Sequence, residues 1–100
     1  MATGKDPAVL FYISDWLRAT KGMKAHVRGW YLNLILFQYD MGDLPTDMEE
    51  LANLADVRIS EYDLFKQVFE QVLKQKFELN ENNRLENKVA KEIIQARKTL

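Results

Sequence analysis

The sequence predicts a mainly helical α+β domain with a winged-helix-like order of elements. Apolar residues recur at helical spacing in four stretches. Between the last two stretches, the pattern changes to short polar and apolar alternation around the turn-forming residues 80–83, which indicates a β-hairpin. The predicted order is helix-turn-helix, hairpin and terminal helix, which favours one α+β domain with a wing.

Length and composition support one folded unit. The chain has 100 residues, of which 47% are hydrophobic and 29% are charged, so residues 1–100 form a single domain with one core. We expect residues 1–7 to be flexible. The terminal helix, residues 88–100, runs into the last residue, so we expect that a longer protein has been cut there or that this helix packs on a partner.

Several function classes are excluded at this stage. The chain has no cysteine and one histidine, His26, so thiolate chemistry and a histidine metal cluster are excluded. It has no Gly-rich phosphate loop and no partner for His26 at a catalytic spacing, and we expect no enzymatic activity, metal or cofactor. No apolar signal core or membrane-length stretch is present, which predicts a cytoplasmic protein that contacts no membrane.

The first part of the chain is predicted to contain two short elements and one long helix. Residues 9–13 are apolar, aromatic and β-branched, which predicts a buried strand or an extended segment. Ser14 or Asp15 is expected to cap a short helix over residues 16–20. Residues 23 to about 39 form a longer helix that is apolar nearly all round, which is typical of a central, buried helix. Gly29 inside it predicts a close neighbour at that point.

A helix-turn-helix follows. Thr46 and Glu49 have the spacing of a capping box, so a short helix is expected to start there. It is predicted to break at residues 56–59, after which Ser60 offers a second N-cap. The next helix, from residue 61 to about 75, carries one apolar face. That face comprises Tyr62, Phe65, Val68, Phe69, Val72 and Leu73.

The C-terminal part is predicted to contain the wing. Residues 76–79 and 84–86 alternate as hairpin strands, and Glu78 and Glu86 are expected to face solvent on them. From about residue 87 the chain turns helical. The narrow apolar stripe of this helix comprises Val89, Ile93, Ile94 and Ala96.

Several short motifs resemble the YdaU-like family of phage and prophage proteins. They are residues 11–17 with Thr20, residues 28–31 with Leu34, residues 42–45 with Leu51 and Leu54, and finally Phe77 and Asn87. The resemblance covers roughly residues 9–90. It implies a fold similar to the winged-helix N-terminal domains of replication-initiation and helicase-loading proteins, and a role in DNA replication initiation. It implies no catalytic or binding residues.

The second helix of the helix-turn-helix is the first candidate DNA-binding element. In this class of fold, that helix enters the major groove. Gln67 and Gln71 are placed to read adenine edges and Lys74 to contact phosphate, although Asp63 and Glu70 on the same side would repel the backbone. The alternative interpretation is an ordinary solvated helix face.

Two basic sets are further candidates for phosphate contacts. The first set lies on and around the hairpin, which is expected to gather these residues on one side of the domain. That arrangement suits non-specific binding of nucleic acid. Lys21, Lys24 and Arg28 form a second set, which equally suits a solubilising helix edge. The first set comprises Lys74, Lys76, Arg84, Lys88 and Lys91.

Charge is distributed unevenly. Residues 1–39 carry a net charge of +3 (five basic minus two acidic), residues 40–63 carry -7 (one minus eight) and residues 64–100 carry +3 (eight minus five). The acidic run lacks the ligand spacing of a calcium loop, and we interpret it as helix-end electrostatics.

Two functions therefore stay open. The first is a DNA-associated module of a phage or prophage replication-initiation protein, with modest, salt-sensitive binding. The second is a protein-interaction module that forms a homodimer or docks a replicative helicase or its loader. DNA binding predicts affinity that falls steeply with salt, whereas the interaction module predicts an exposed apolar patch and a dimer.

Overall fold

A computed structural model describes the backbone of residues 11–99 and the side chains of residues 11–96. Predictions made for residues 1–10 lie outside the described residues. The part described is mainly helical with one small antiparallel sheet, which confirms the α+β class. The helices are α1 (Ile13–Thr20), α2 (Ala25–Met41), α3 (Met48–Ala55), α4 (Tyr62–Val68) and α5 (Lys88–Thr99), and the strands are β1 (Glu78–Leu79) and β2 (Leu85–Glu86).

The hairpin is tied to the loop between α2 and α3. Leu44 forms an isolated antiparallel bridge with Leu85 of β2, and each backbone N–H donates to the other residue's carbonyl at 2.8 Å. Leu44 is 1% exposed, so this pairing also closes the core. A helix, a bridging residue, a helix pair and a hairpin together give a winged-helix-like arrangement.

The core forms around α2, as the spacing of its apolar residues predicts. Trp30 and Leu34 of α2 are buried, and the ring of Trp30 meets Phe65 of α4 edge-on at 5.4 Å between centroids. Phe65, Phe69 and Leu73 are buried, which confirms the predicted apolar face of the second helix of the pair. Burial of these large side chains is the main stabilising term of the fold.

The helical path of α4 continues beyond Val68 with a change of geometry. Phe69–Leu73 is a π-helical turn and Lys74–Lys76 is a 3₁₀ turn. In an α-helix, residues four apart drift by about 40° around the axis, which would carry Leu73 away from the core side. The wider π turn offsets that drift, which is consistent with the burial of Phe65, Phe69 and Leu73 alike.

The predicted start of the chain is correct only in part where the structure describes it, because Tyr12 has an extended backbone (φ -82°, ψ 97°) but the segment is no buried strand. Phe11 and Tyr12 are exposed rather than buried, and Ile13 already belongs to α1. Tyr12 occupies the N-cap position without a side-chain capping bond. Asp15 forms an ion pair with Arg18 at 2.9 Å instead of capping the helix.

Two predicted caps are also wrong. The N-cap of α3 is Asp47, whose carboxylate accepts the Glu50 N–H at 3.1 Å, one residue later than the predicted capping box of Thr46. Both residue types cap helices well, so local spacing alone does not select between them. Ser60 lies inside a 3₁₀ turn, Ile59–Glu61, and provides no side-chain cap.

Two expectations for α2 are wrong as well. Leu36 and Phe37 are exposed, because this side of α2 faces away from the core. Gly29 has no close neighbour among the described residues, since a Cβ atom added there would meet none of their atoms within 4 Å. No helix in residues 11–99 combines the length and apolar character needed to cross a bilayer.

Candidate nucleic-acid-binding surface

A groove with basic side chains lies between the α1–α2 turn and α4. We call it the basic groove; its volume is about 490 Å³. Its charged lining residues are Lys21, Lys24 and Lys76. The remaining lining is mostly apolar, with His26 and Gln75 as its polar members, and its apolar side chains include Met23, Val27, Leu64, Val68 and Val72.

The end of α1 binds two cations, of which Lys76 lines this groove. Lys76 Nζ donates to the Ala19 carbonyl oxygen at 3.2 Å, and Arg28 Nη2 donates to the Thr20 carbonyl oxygen at 3.3 Å. The last carbonyls of a helix have no partner within it, and cations are favoured at that end. These bonds bring Lys76 beside the predicted set Lys21, Lys24 and Arg28.

The basic groove has no acidic lining residue in the part of the chain that the structure describes. Lys21 and Lys24 are exposed, and within residues 11–96 neither side chain has a carboxylate partner. Unpaired ammonium groups beside one another attract anions such as backbone phosphates. The groove is therefore suited chemically to a polyanion.

The predicted contact residues of the helix after the turn lie beside the groove. Gln67 and Gln71 are exposed, and each precedes a groove-lining valine by one position. Lys74 is exposed and pairs with Glu70 at 3.5 Å, an exposed contact that contributes little to stability. The binding role of all three stays a prediction.

The predicted contacts on the hairpin side have a different setting. Arg84 Nε donates to Asp43 Oδ1 at 2.7 Å, and Arg84 lines a separate groove with Met41 and Pro45. The hydrogen bond from Arg84 lowers the pKa of the Asp43 carboxyl below its ordinary value of 3.8. Lys88 is exposed on α5 without a carboxylate partner among residues 11–96. The structure therefore separates Arg84 from the basic groove, and the binding roles of Arg84 and Lys88 stay predictions.

A second ion pair joins the hairpin to α5. Lys91 Nζ lies 2.9 Å from Glu86 Oε1, and the hydrogen bond with Glu86 raises the pKa of Lys91 above its ordinary value. Glu86 pairs with Glu78 in the hairpin register but is 6% exposed, so the expectation that it faces solvent is wrong. Its burial is offset by Lys91 and by Asn80, whose Nδ2 lies 3.4 Å from Glu86 Oε2. We call Asp43, Asn80, Arg84, Glu86 and Lys91 the hairpin cluster.

An aromatic pocket lies between α1, α2 and α5. Trp16 stacks on Tyr31 at 5.3 Å between centroids and 13° between planes, and Phe11 is tilted against Trp16 at 5.5 Å. Tyr12 and Tyr39 also line it. Burial raises the pKa of Tyr31, although the hydrogen bond with Asn87 opposes this, and burial also raises the pKa of Tyr39.

The acidic run takes part in local structure. Asp47 caps α3, Asp43 pairs with Arg84, and Asp56 ends α3 in the left-handed conformation with φ 67°. In residues 11–96, no group of three or more histidine or acidic side chains is placed to hold a metal ion.

The fold defines a small, mainly helical α+β domain of winged-helix-like arrangement. The chain belongs to the family described as Protein of unknown function (DUF1376), whose model matches residues 9–95. No curated protein and no solved structure matches the chain.

Sequence reasoning found Lys21, Lys24 and Arg28 as a set but missed their assembly with Lys76. These residues are local neighbours, whereas the contact from Lys76 to Ala19 spans 57 positions. The aromatic pocket was missed because it combines three helices that are distant in sequence. Its sequence signals were the aromatic character of residues 11–16 and the tyrosines Tyr12 and Tyr39, which could stack bases wherever they reach the surface.

Proposed function

We propose that this chain is a non-enzymatic module that binds nucleic acid through phosphate contacts in the basic groove. The observation that carries the proposal is a groove lined by Lys21, Lys24 and Lys76, with no acidic lining residue and no carboxylate partner for these lysines among the described residues. The phosphate backbone dominates the affinity of such surfaces and makes it salt-dependent. The net charge of -1 predicts modest affinity, because the whole chain has no basic excess.

The biological setting belongs to the same proposal. The resemblance to the YdaU-like family supports a phage or prophage replication-initiation protein as the source of this module. The winged-helix-like arrangement is compatible with such a role, since α3 and α4 form the helix pair of that class. Gln67, Gln71 and Lys74 would then contact the nucleic acid beside the groove.

A fluorescence-anisotropy titration with a labelled oligonucleotide at two salt concentrations tests the proposal. We expect binding that weakens with salt and that falls about ten-fold in Lys21→Glu/Lys24→Glu, since two phosphate contacts become repulsive. The comparison variant is Lys88→Glu, at an exposed lysine on α5 that has no carboxylate partner among the described residues. Loss in Lys88→Glu alone would move the binding surface to the hairpin side, and salt-independent or absent binding would refute the proposal.

A protein-interaction module is the second candidate. Leu36, Phe37 and Met41 are exposed on α2 at 47%, 39% and 46%. Exposed apolar patches on a small domain favour association with a second copy or with a replication protein such as a helicase or its loader. The predicted apolar stripe of α5 is a weaker candidate, because Ile94 is buried in the chain's own core.

Light scattering during size-exclusion chromatography tests this second candidate. A dimer that becomes a monomer in Phe37→Ser would support it. Leu79→Ser is the matched control, because Leu79 is an exposed apolar residue on the hairpin. A monomer at every concentration would eliminate the homodimer, and a mixture with a purified helicase would then test docking.

A further inference from the structure

The aromatic pocket and the basic groove meet at the end of α1. Ala19 lines both of them, on one helix of eight residues. Tyr12, Asp15, Trp16 and Ala19 follow helical spacing, so one face of α1 forms a wall of the aromatic pocket and leads to the basic groove. A ligand that occupies the groove therefore has the pocket within immediate reach.

The pocket offers aromatic surface to a ligand from solvent. Tyr12, which lines the pocket, is 53% exposed, and Phe11 is also exposed. Trp16 is half-buried and rests on the buried ring of Tyr31, which holds it in place. Because Trp16 is fixed before binding, this wall of the pocket loses little conformational freedom when a planar ligand enters it.

Charge near the pocket does not strongly oppose a polyanion. Asp15 is the one acidic residue among the described lining residues, and the Arg18 guanidinium 2.9 Å away reduces its repulsion of a polyanion. The polar groups of the pocket include the Asn87 side chain, whose Nδ2 donates to Tyr31 Oη at 3.1 Å. Neither group strongly repels a strand that continues from the lysines.

Adjacent cations and exposed rings discriminate between forms of nucleic acid. In a duplex, the bases are stacked on one another and their faces are hidden. In a single strand the faces are free, and a basic groove with stacking rings is the usual way to bind it. Resting on the proposed function, we propose that this surface binds single-stranded nucleic acid, with phosphates on Lys21, Lys24 and Lys76 and one base stacked in the aromatic pocket on Tyr12.

The test compares three labelled probes with the whole chain. They are a single-stranded oligothymidylate of ~10 nucleotides, within the site sizes of single-strand-binding domains, a duplex of the same length, and an abasic strand of the same length. We expect the oligothymidylate to bind about five-fold more tightly than the abasic strand, which is the low end of one base–aromatic stack. Quenching of Trp16 fluorescence should accompany the first probe only.

Variants of Tyr12 locate the effect. Tyr12→Ala should weaken oligothymidylate binding about five-fold and leave abasic-strand binding unchanged, whereas Tyr12→Phe should retain the tighter binding because it keeps the ring. Leu17→Ala is the matched control: Leu17 is 57% exposed on the same helix and lines neither the pocket nor the groove.

The outcomes separate the two proposals. Equal salt-dependent binding of all three probes, unchanged in Tyr12→Ala, would overturn the single-strand inference and leave the phosphate groove standing. Tighter binding of the duplex would overturn it as well. Failure to bind any probe would refute the proposed function, and the inference with it.

Discussion

The basic groove and the hairpin cluster use the same residue types in opposite ways. In the hairpin cluster, Arg84 pairs with Asp43 and Lys91 pairs with Glu86, so each cation is compensated within the chain. In the basic groove, Lys21 and Lys24 have no carboxylate partner among residues 11–96. Charges that are paired within the chain are largely compensated there, whereas unpaired charges that lie together leave attraction for a ligand. The partners of the basic residues in a region therefore indicate its ability to attract an anionic ligand better than their number does.

The largest expected effect tests the polar core beneath the hairpin cluster. Gln38 is 0% exposed; its Nε2 donates to the Asn87 carbonyl oxygen at 3.1 Å and its Oε1 accepts the Asn87 N–H at 2.7 Å. Gln38→Met roughly keeps the volume but leaves the buried Asn87 N–H without a partner, while the Asn87 carbonyl still accepts the Lys91 N–H at 2.9 Å. We expect a loss of about 1–3 kcal/mol in the free energy of unfolding. Urea denaturation of the wild type and the variant measures this loss in the free energy of unfolding.

The matched control for that prediction is Gln67→Met. Gln67 is exposed on α4, so the same exchange should change the free energy of unfolding by no more than about 0.5 kcal/mol. Equal effects at both positions would show that the buried amide contributes nothing specific to the connection between α2 and α5.

The second prediction concerns the pH dependence of the hairpin cluster. Asp43→Asn removes the charge that Arg84 binds, and we expect a loss of about 1 kcal/mol at pH 7 for this partly exposed pair. The pKa of folded Asp43 is below its ordinary value of 3.8. Its contribution is therefore present above pH 3.8 and is lost as the pH falls through the lowered pKa.

Denaturation series at several pH values check this. The difference between wild type and Asp43→Asn should shrink below pH 3.8 as the wild-type carboxylate takes up its proton. Asp40→Asn is the control, since Asp40 is exposed on α2 and has no cation partner among residues 11–96. A wild-type advantage that persists in strong acid would contradict the assignment to Asp43.

The helices show what the sequence can predict. α2 and the buried side of α4 were predicted correctly, because apolar spacing is a local property that a long helix repeats several times. The α3 cap was misplaced by one residue, because Thr46 and Asp47 are both good caps. The outward side of α2 was wrongly expected to be buried. Leu36 and Phe37 are apolar, but residue type alone does not show whether another element packs on them.

The site was less predictable than the helices. Lys76 reaches Ala19 across 57 positions, and Leu44 bridges Leu85, so both contacts depend on the assembled fold. The sequence also does not show which lysines are paired. Lys91 binds the buried carboxylate of Glu86, whereas Lys24 has no carboxylate partner among the described residues. The sequence therefore identified the basic residues, and the structure separated those with carboxylate partners from those that line the basic groove.

A third prediction separates stability from binding. Gly29→Ala should raise the free energy of unfolding by about 0.5–1 kcal/mol, because Ala costs less backbone entropy in a helix and the new Cβ meets open space. Gly42→Ala is the control, since Gly42 has φ +95° and its replacement is strained, which lowers stability. If the basic groove binds nucleic acid, affinity at each salt concentration should be unchanged in Gly29→Ala.

The smallest effect on stability should come from the groove itself. Lys24 is exposed and unpaired among the described residues, so Lys24→Ala should change unfolding by no more than about 0.5 kcal/mol. It should lower the slope of log K against log salt concentration by about 1, the loss of one phosphate contact. Lys91→Ala should show the reverse, with a lower melting temperature and an unchanged slope, because Lys91 neutralises buried Glu86. Slopes that fall equally in both variants would show that charge partners do not decide which lysines bind.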